Sequence, residues 1–246
     1  WRGGGGMARG LPATGLGKRE TRDMPKIDRS GQGPDVVTED PEGCPAFFGC
    51  TIKSVTNTAS PDWMQARLKS AGQKSINALV DITNFFTMDA ARPLHVFDAG
   101  KLSGDITVRL ASGGEEMPAL DNKTYTLQPG MTAVCDAMGP QALGGIIGGE
   151  ATGCSDETTD VFVECALFDP LRTAATGRKL GIHSDARYRF ERGVDPESLV
   201  PGIEAATAMI LELCGGEASE TVVAGAAPEW RRTVALRPSR VEALAG

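Results

Sequence analysis

A single carboxylate interrupts the apolar run Val161-Phe162-Val163-Glu164-Cys165-Ala166-Leu167. If this run is a buried strand, Glu164 needs either a partner, such as an arginine in the core, or a ligand to bind. Shortly before it, Gly144-Gly145 and Gly148-Gly149 flank two isoleucines. Backbone without side chains can approach a ligand closely there, or simply turn tightly. His95 lies among Leu94, Val96 and Phe97. Such a histidine either makes a structural hydrogen bond or orients water near neutral pH. Thr83 and Asn84 follow an apolar segment and read as a helix-interior polar pair, as a cap, or as donors and acceptors for a polar ligand. Ser184-Asp185-Ala186 reads as a buried turn or as a small-residue wall. No Ser-His-Asp or Cys-His relay is visible. Cys165 adjoins Glu164 and points to the opposite face of a strand. Any hydrolysis here would therefore use water as nucleophile.

These residues need elements to hold them. Ser60-Pro61-Asp62 predicts a helix start, with Ser60 as cap, continuing through Trp63 and Leu68 to Gly72. Ser75 is expected to cap a second helix through Ile76, Leu79, Val80 and Thr83. Residues 106–110, 124–127 and 132–135 alternate as strands do. Asp195-Pro196 is expected to open a last helix, in which Leu199, Ile203, Ala206, Ile210 and Leu213 form one apolar stripe before Gly215-Gly216. Strands separated by helices imply an α+β fold, a mostly antiparallel sheet core flanked by helices.

The chain has 246 residues and a net charge of −7. That charge excludes a surface that grips nucleic acid all round. Yet Arg172, Arg178, Lys179, Arg187, Arg189 and Arg192 lie close in sequence. They read as a solvated polar face or as contacts to RNA phosphate. The six cysteines form no CxxC pair and there are two histidines, so no metal site is expected. Reduced thiols in a cytoplasmic protein follow, and no apolar run suits a membrane. The Gly, Pro and charge content of the first forty residues predicts little folded core before Glu42, with Lys18 to Glu42 as a linker.

The block Gln141 to Pro196, together with Trp63-Met64, Val80-Asp81-Ile82-Thr83-Asn84 and Arg92-Pro93-Leu94-His95-Val96-Phe97-Asp98, resembles the editing domain of the bacterial phenylalanyl-tRNA synthetase beta subunit. The likeness runs from about Cys44 to Gly216, with several motifs in order and spacing. It implies hydrolysis of tyrosyl-tRNA(Phe). His95, Asn84 and Thr83 would line the reacting centre. Glu164 and a backbone N–H of Gly148 or Gly149 would bind the tyrosine hydroxyl, and Ser184 and Ala186 would leave space for the ring. The resemblance further implies tRNA(Phe) presenting its 3′ end, with RNA contacts at Arg172, Arg178 and Lys179. It implies an alpha subunit in a heterotetramer, and ATP and magnesium for the whole enzyme but no cofactor for this chain. A small residue is the family expectation at position 187, where this chain has Arg187. By the same likeness, residues 1–42 are the tail of a preceding domain plus linker, 43–220 the editing domain, and 221–246 a linker and the start of a truncated next domain. Folding as a monomer is expected. The rival readings are a scaffolding or RNA-binding module without catalysis and a free-standing trans-editing hydrolase.

Overall fold

The computed structural model describes residues 4–18 and 26–245. In chain order the elements are α1 (Gly4–Ala13), β1 (Val36–Thr38), β2 (Ala46–Lys53), α2 (Asp62–Ser70), α3 (Ala78–Asp89), β3 (His95–Asp98), β4 (Ile106–Leu110), β5 (Glu116–Pro118), β6 (Thr124–Thr126), β7 (Thr132–Asp136), β8 (Gly139–Leu143), β9 (Ile147–Gly148), β10 (Val161–Leu167), α4 (Pro170–Leu180), α5 (Asp185–Phe190), α6 (Leu199–Cys214), β11 (Glu217–Ala218), β12 (Val222–Gly225) and α7 (Pro238–Ala245). The α+β expectation holds. One sheet runs β11-β2-β10-β3, with β12 also on β2, and every pair in it is antiparallel. A second runs β1-β4-β7-β8-β9, antiparallel except for the parallel β1–β4 pair. β5 and β6 form a separate hairpin.

Alternation along β10 sets the layers. Val161, Val163, Cys165 and Leu167 face a core shared with α2, α3 and α6. Phe162 and Ala166 face the second core, with Phe47, Phe97, Ile106, Val108 and Val134, where the two sheets meet. Glu164 lies between Phe162 and Ala166 and therefore belongs to the sheet–sheet face, with Cys165 on the other side as expected. A third core under the β5–β6 hairpin joins Met117, Tyr125, Leu127, Ala133, Leu143 and Ile182.

The three predicted helices fall near their expected places as α2, α3 and α6, but the caps differ, and α1, α4, α5 and α7 come in addition to them. Ser60 does not cap α2, and Ser75 does not cap α3. Both hydroxyls donate to the fully buried carboxylate of Asp81, which also accepts from the Ile76 N–H. α3 is instead capped by Asn77, whose side chain accepts from the Val80 N–H. Asp195 caps a short 3₁₀ turn, Pro196–Ser198, that leads into α6. A buried acid thus claims the two serines that local sequence assigns to helix starts.

The stretch 26–42 is not a plain linker. β1 pairs with β4, and Arg29 forms an ion pair with Glu204 at 2.6 Å. Asp40, 6% exposed, accepts from Gly43 N–H, Thr132 Oγ1 and Arg172. Likewise β12 belongs to the main sheet, so a boundary at 220 separates a strand from its partner. Three- and four-residue strands carry too little periodicity to be read in advance. Residues 19–25 of the expected linker lie outside the described residues.

Arg172 is thereby a structural residue. Its hydrogen bond and charge hold the Asp40 carboxyl below the usual carboxylate range, against the opposing effect of burial, which is the largest single influence. Arg172→Ala leaves Asp40 buried without a counter-charge. The expected cost is about 2–3 kcal/mol of stability, read from a denaturant midpoint at pH 7.

Candidate functional site

In the register of the first sheet, Glu164 stands opposite Gly49 of β2 on one side and His95 of β3 on the other. Residues directly opposite in antiparallel strands project to the same face. Glu164 and His95 are therefore neighbours on the face that meets the second sheet. Glu164 is 6% exposed and its Oε2 has no hydrogen-bond partner. His95 is half-buried, but its Nε2 is buried and likewise unpartnered. Phe97 packs edge-on against the His95 ring, with centroids 4.4 Å apart.

Burial decides the charge of both groups. It pushes the Glu164 carboxyl up to about 8, with the Arg92 guanidinium pulling the other way. It pushes the His95 imidazole down to about 4. At neutral pH both are mainly uncharged.

The β8–β9 hairpin brings the glycine loop to this pair. A Cβ on Gly148 would lie 2.3 Å from His95 Cε1 and 2.7 Å from Nε2, so only glycine fits against the ring as it stands. Gly149 donates its N–H to the Gln141 carbonyl at 2.7 Å. Gly149 is thus committed to the hairpin, which corrects the expectation that either glycine could serve a ligand. Because Gly149 and Gln141 form a hydrogen-bonded pair, Gly148 opposite Ala142 falls at the alternate position. The Gly148 N–H then points away from β8, toward the side of β9 where Ala119 bridges to Gly149. The Gly148 carbonyl accepts from Leu120 N–H at 3.1 Å.

α5 closes another side. Ser184 caps it by accepting from Arg187 N–H and donates its hydroxyl to the Ile146 carbonyl at 2.6 Å. This bond pins the glycine loop to the start of α5. Ala186, half-buried, packs on the core of Phe168 and Phe190, whose rings meet edge to face at 5.2 Å. The stripe of α3 bearing Asn84 runs beside α5. Gln73, just before α3, donates to Asp185, and Arg189 donates to the sulfur of Met88, one helical turn beyond Asn84. Thr83 donates its hydroxyl to the Val80 carbonyl of its own helix. Among the described residues, no hydrogen bond joins Thr83 or Asn84 to His95 or Glu164.

A sequence profile of the B3/4 domain family matches residues 43–215, and every residue of this site falls within that span. The chain belongs to the B3/4 domain family. It is 54% identical, over 246 residues, to the phenylalanine–tRNA ligase beta subunit of Paramagnetospirillum magneticum, across 98% of this chain and 31% of that one. The corresponding subunit of Rhodospirillum rubrum is 55% identical over 247 residues, again across 98% and 31%. The chain thus spans about a third of the length of these relatives. A solved N-terminal fragment of the phenylalanyl-tRNA synthetase beta-subunit from Pyrococcus horikoshii is also similar, with a TM-score of 0.44 and 14% identity over 64% of this chain and 52% of that one.

In this B3/4 domain the basic run after β10 is largely consumed by the fold. Arg187 pairs with Glu191 at 3.0 Å, donates to the Ile182 carbonyl and packs over Gly177. That explains how an arginine is accommodated at position 187. Arg189 pairs with Asp185, and Arg192 with Glu191 while lying 3.9 Å over the Tyr188 ring. The turn after α5 is accordingly held by salt bridges. Arg178 and Lys179, in the last turn of α4, are exposed and make no ion pair among the described residues. The six cysteines are unbridged. Among the described residues no group of three or more His, Cys, Asp or Glu could hold a metal, and no helix is long and apolar enough to cross a membrane. Sequence reasoning assigned no role to Arg92, although it stands at the head of the Arg92-to-Asp98 motif. An arginine preceding a proline in an otherwise apolar turn was the available signal.

Proposed function

We propose that this domain hydrolyses tyrosyl-tRNA(Phe), as the proofreading part of a phenylalanine–tRNA ligase beta subunit. The observation that carries the reading is the pairing of two unpartnered buried groups, Glu164 Oε2 and His95 Nε2, beside Gly148, where the absence of a side chain lets the backbone meet the His95 ring. Buried polar atoms without partners are uncommon and costly in a folded protein. A phenol hydroxyl satisfies Glu164, and the water or the ester satisfies His95. The hydroxyl exchanges hydrogen bonds with Glu164, and Gly148 N–H can donate to it. Phenylalanine in the same place leaves those groups unpaired. The physical gain is selectivity. A pocket built for phenylalanine rejects an added hydroxyl weakly, whereas a site that bonds the hydroxyl discriminates by roughly 10⁴-fold.

The chemistry is ester hydrolysis. Water oxygen bonds to the ester carbonyl carbon, the bond to the terminal ribose oxygen breaks, and a water proton ends on that oxygen. His95, kept neutral by burial, orients the water or the ester. Asn84 and Thr83 reach the aminoacyl ester from α3, Ser184 and Ala186 shape the ring wall, and Arg178 and Lys179 meet phosphate. In this reading ATP, magnesium and the alpha subunit serve aminoacylation elsewhere in a heterotetramer in the cytoplasm. Among the described residues no group of three or more His, Cys, Asp or Glu could hold magnesium, and no step passes through it or through ATP.

Free tyrosine is expected to bind better than phenylalanine in calorimetry. Glu164→Ala should weaken that preference, by about 1.5–3 kcal/mol. His95→Ala should slow deacylation of tyrosyl-tRNA(Phe) at saturating substrate with little change in affinity. Equal binding of both amino acids to the native protein would transfer support to the scaffolding reading.

A further inference from the structure

Arg92 is the largest fully buried side chain of the domain, 1% exposed, and it forms no ion pair among the described residues. We propose that Arg92 is a positioning residue for the pocket: its guanidinium clamps β10 two residues from Glu164 and holds a fixed positive charge near that carboxyl. The inference rests on the reading of Glu164 given above.

The clamp follows from a defect in the sheet. The β10–β3 register pairs Glu164 with His95, and continuing it sets Ala166 opposite Pro93. Proline has no N–H to give, so the Ala166 carbonyl lacks a ladder partner there. Arg92 Nη2 donates to that carbonyl, and Nη1 donates to Ser198 Oγ at 3.2 Å. The guanidinium also lies 5.9 Å from the centroid of Phe190 in α5. One side chain thereby joins β10, the turn before α6, and the helix that carries Ala186. Its Nε remains unpartnered.

Space is reserved for it. A Cβ on Gly202 would lie 3.1 Å from Arg92 Cγ and 3.2 Å from Cys165 Sγ. Glycine within a helix costs about 1 kcal/mol relative to alanine, so its presence inside α6 serves the packing of Arg92.

The other titratable groups near Glu164 do not compete for this role. His95 on β3 is held neutral by burial. The Cys44 thiol before β2 and the Cys165 thiol on β10 are pushed up, chiefly by burial, and stay protonated. Arg92 is the one charge that acts on Glu164 among the described residues, and it favours the ionised carboxylate. Arginine remains charged at every working pH.

The test follows the Glu164 carboxyl by ¹³C NMR across pH in the full protein that carries this chain, with Glu164→Gln identifying the resonance. Arg92→Gln keeps a donor for Ala166 and removes the charge. Its midpoint is expected to move at least about one pH unit to the alkaline side, and Arg92→Lys is expected to restore it. A folded Arg92→Gln protein with the native midpoint overturns the proposal. If Arg92→Gln does not fold, Gly202→Ala decides. It improves the helix while crowding Arg92, and should move the midpoint the same way by a smaller amount. An unchanged midpoint in that variant is equally fatal. Tyrosine and phenylalanine binding to the native protein is measured alongside. Equal binding means that the reading of Glu164 has failed. A clear tyrosine preference with an Arg92-independent midpoint means that only the present inference has failed.

Discussion

Glu164→Gln is expected to make the protein more stable at neutral pH, by about 3 kcal/mol at pH 7. The sign follows from linkage. The carboxyl moves from an ordinary 4.5 to about 8 on folding, so folding takes up a proton. Glu164 therefore costs nothing below pH 4.5, and an increasing amount as pH rises toward 8. Each pH unit in that window is worth about 1.4 kcal/mol. Glutamine never ionises and escapes the cost, while its unpaired amide resembles the unpaired hydroxyl of the protonated acid. His95 behaves in the opposite window. Its imidazole falls from 6.5 to about 4, so the native protein loses stability as pH drops from 6.5 toward 4. His95→Asn should stabilise only there. Denaturant unfolding of the three proteins at pH 4.5 and pH 8 checks both claims. Curves that stay parallel to the native protein across this range would remove the buried-charge account of the site.

Gly148→Ala is the second large effect. The added methyl falls 2.3 Å from His95 Cε1, and 3.0 Å from Leu120 Cδ1, so the imidazole must swing away. Overpacking of this kind costs about 1–3 kcal/mol. The larger loss is in turnover, because a reacting group displaced by about 1 Å costs on the order of 10²-fold. Gly149→Ala supplies the contrast. Its methyl meets backbone, 2.7 Å from the Gln141 carbonyl, and opens the hairpin. Melting temperature and tyrosyl-tRNA(Phe) deacylation, measured together, should show Gly148→Ala losing chemistry ahead of stability and Gly149→Ala losing stability first. Full activity in Gly148→Ala would remove His95 from the reacting centre.

The polar exceptions were the legible part of this chain. A lone glutamate in an apolar run marks a buried strand whatever the rest of the fold, and β10 begins and ends where that run does. The α6 stripe is long enough for its period to speak for itself. Partnerships made across the fold were not legible. Nothing local says that Ser60 and Ser75 both serve Asp81, or that Gly149 is bonded to Gln141 while Gly148 is not. Nor does it say that Arg172 neutralises an acid lying 132 residues earlier. The basic cluster looked like one surface and is mostly internal wiring, with Arg178 and Lys179 left outside. Arg92 was invisible because its significance depends on strand register, which places Pro93 opposite Ala166.

The position of β2 has a kinetic consequence. Its partner on one side, β10, comes more than a hundred residues later in the chain, since Ile52 pairs with Val161. On its other side β12 comes later still, since Gly49 pairs with Val222. Such distant pairings slow folding, because a long loop must close before any contact rewards it. During synthesis β2 therefore emerges early and waits with both edges bare, an apolar strand open to wrong pairing. The Glu164 pocket cannot exist until β10 has docked. The site thus depends on a strand pairing that closes only after more than a hundred further residues have been made.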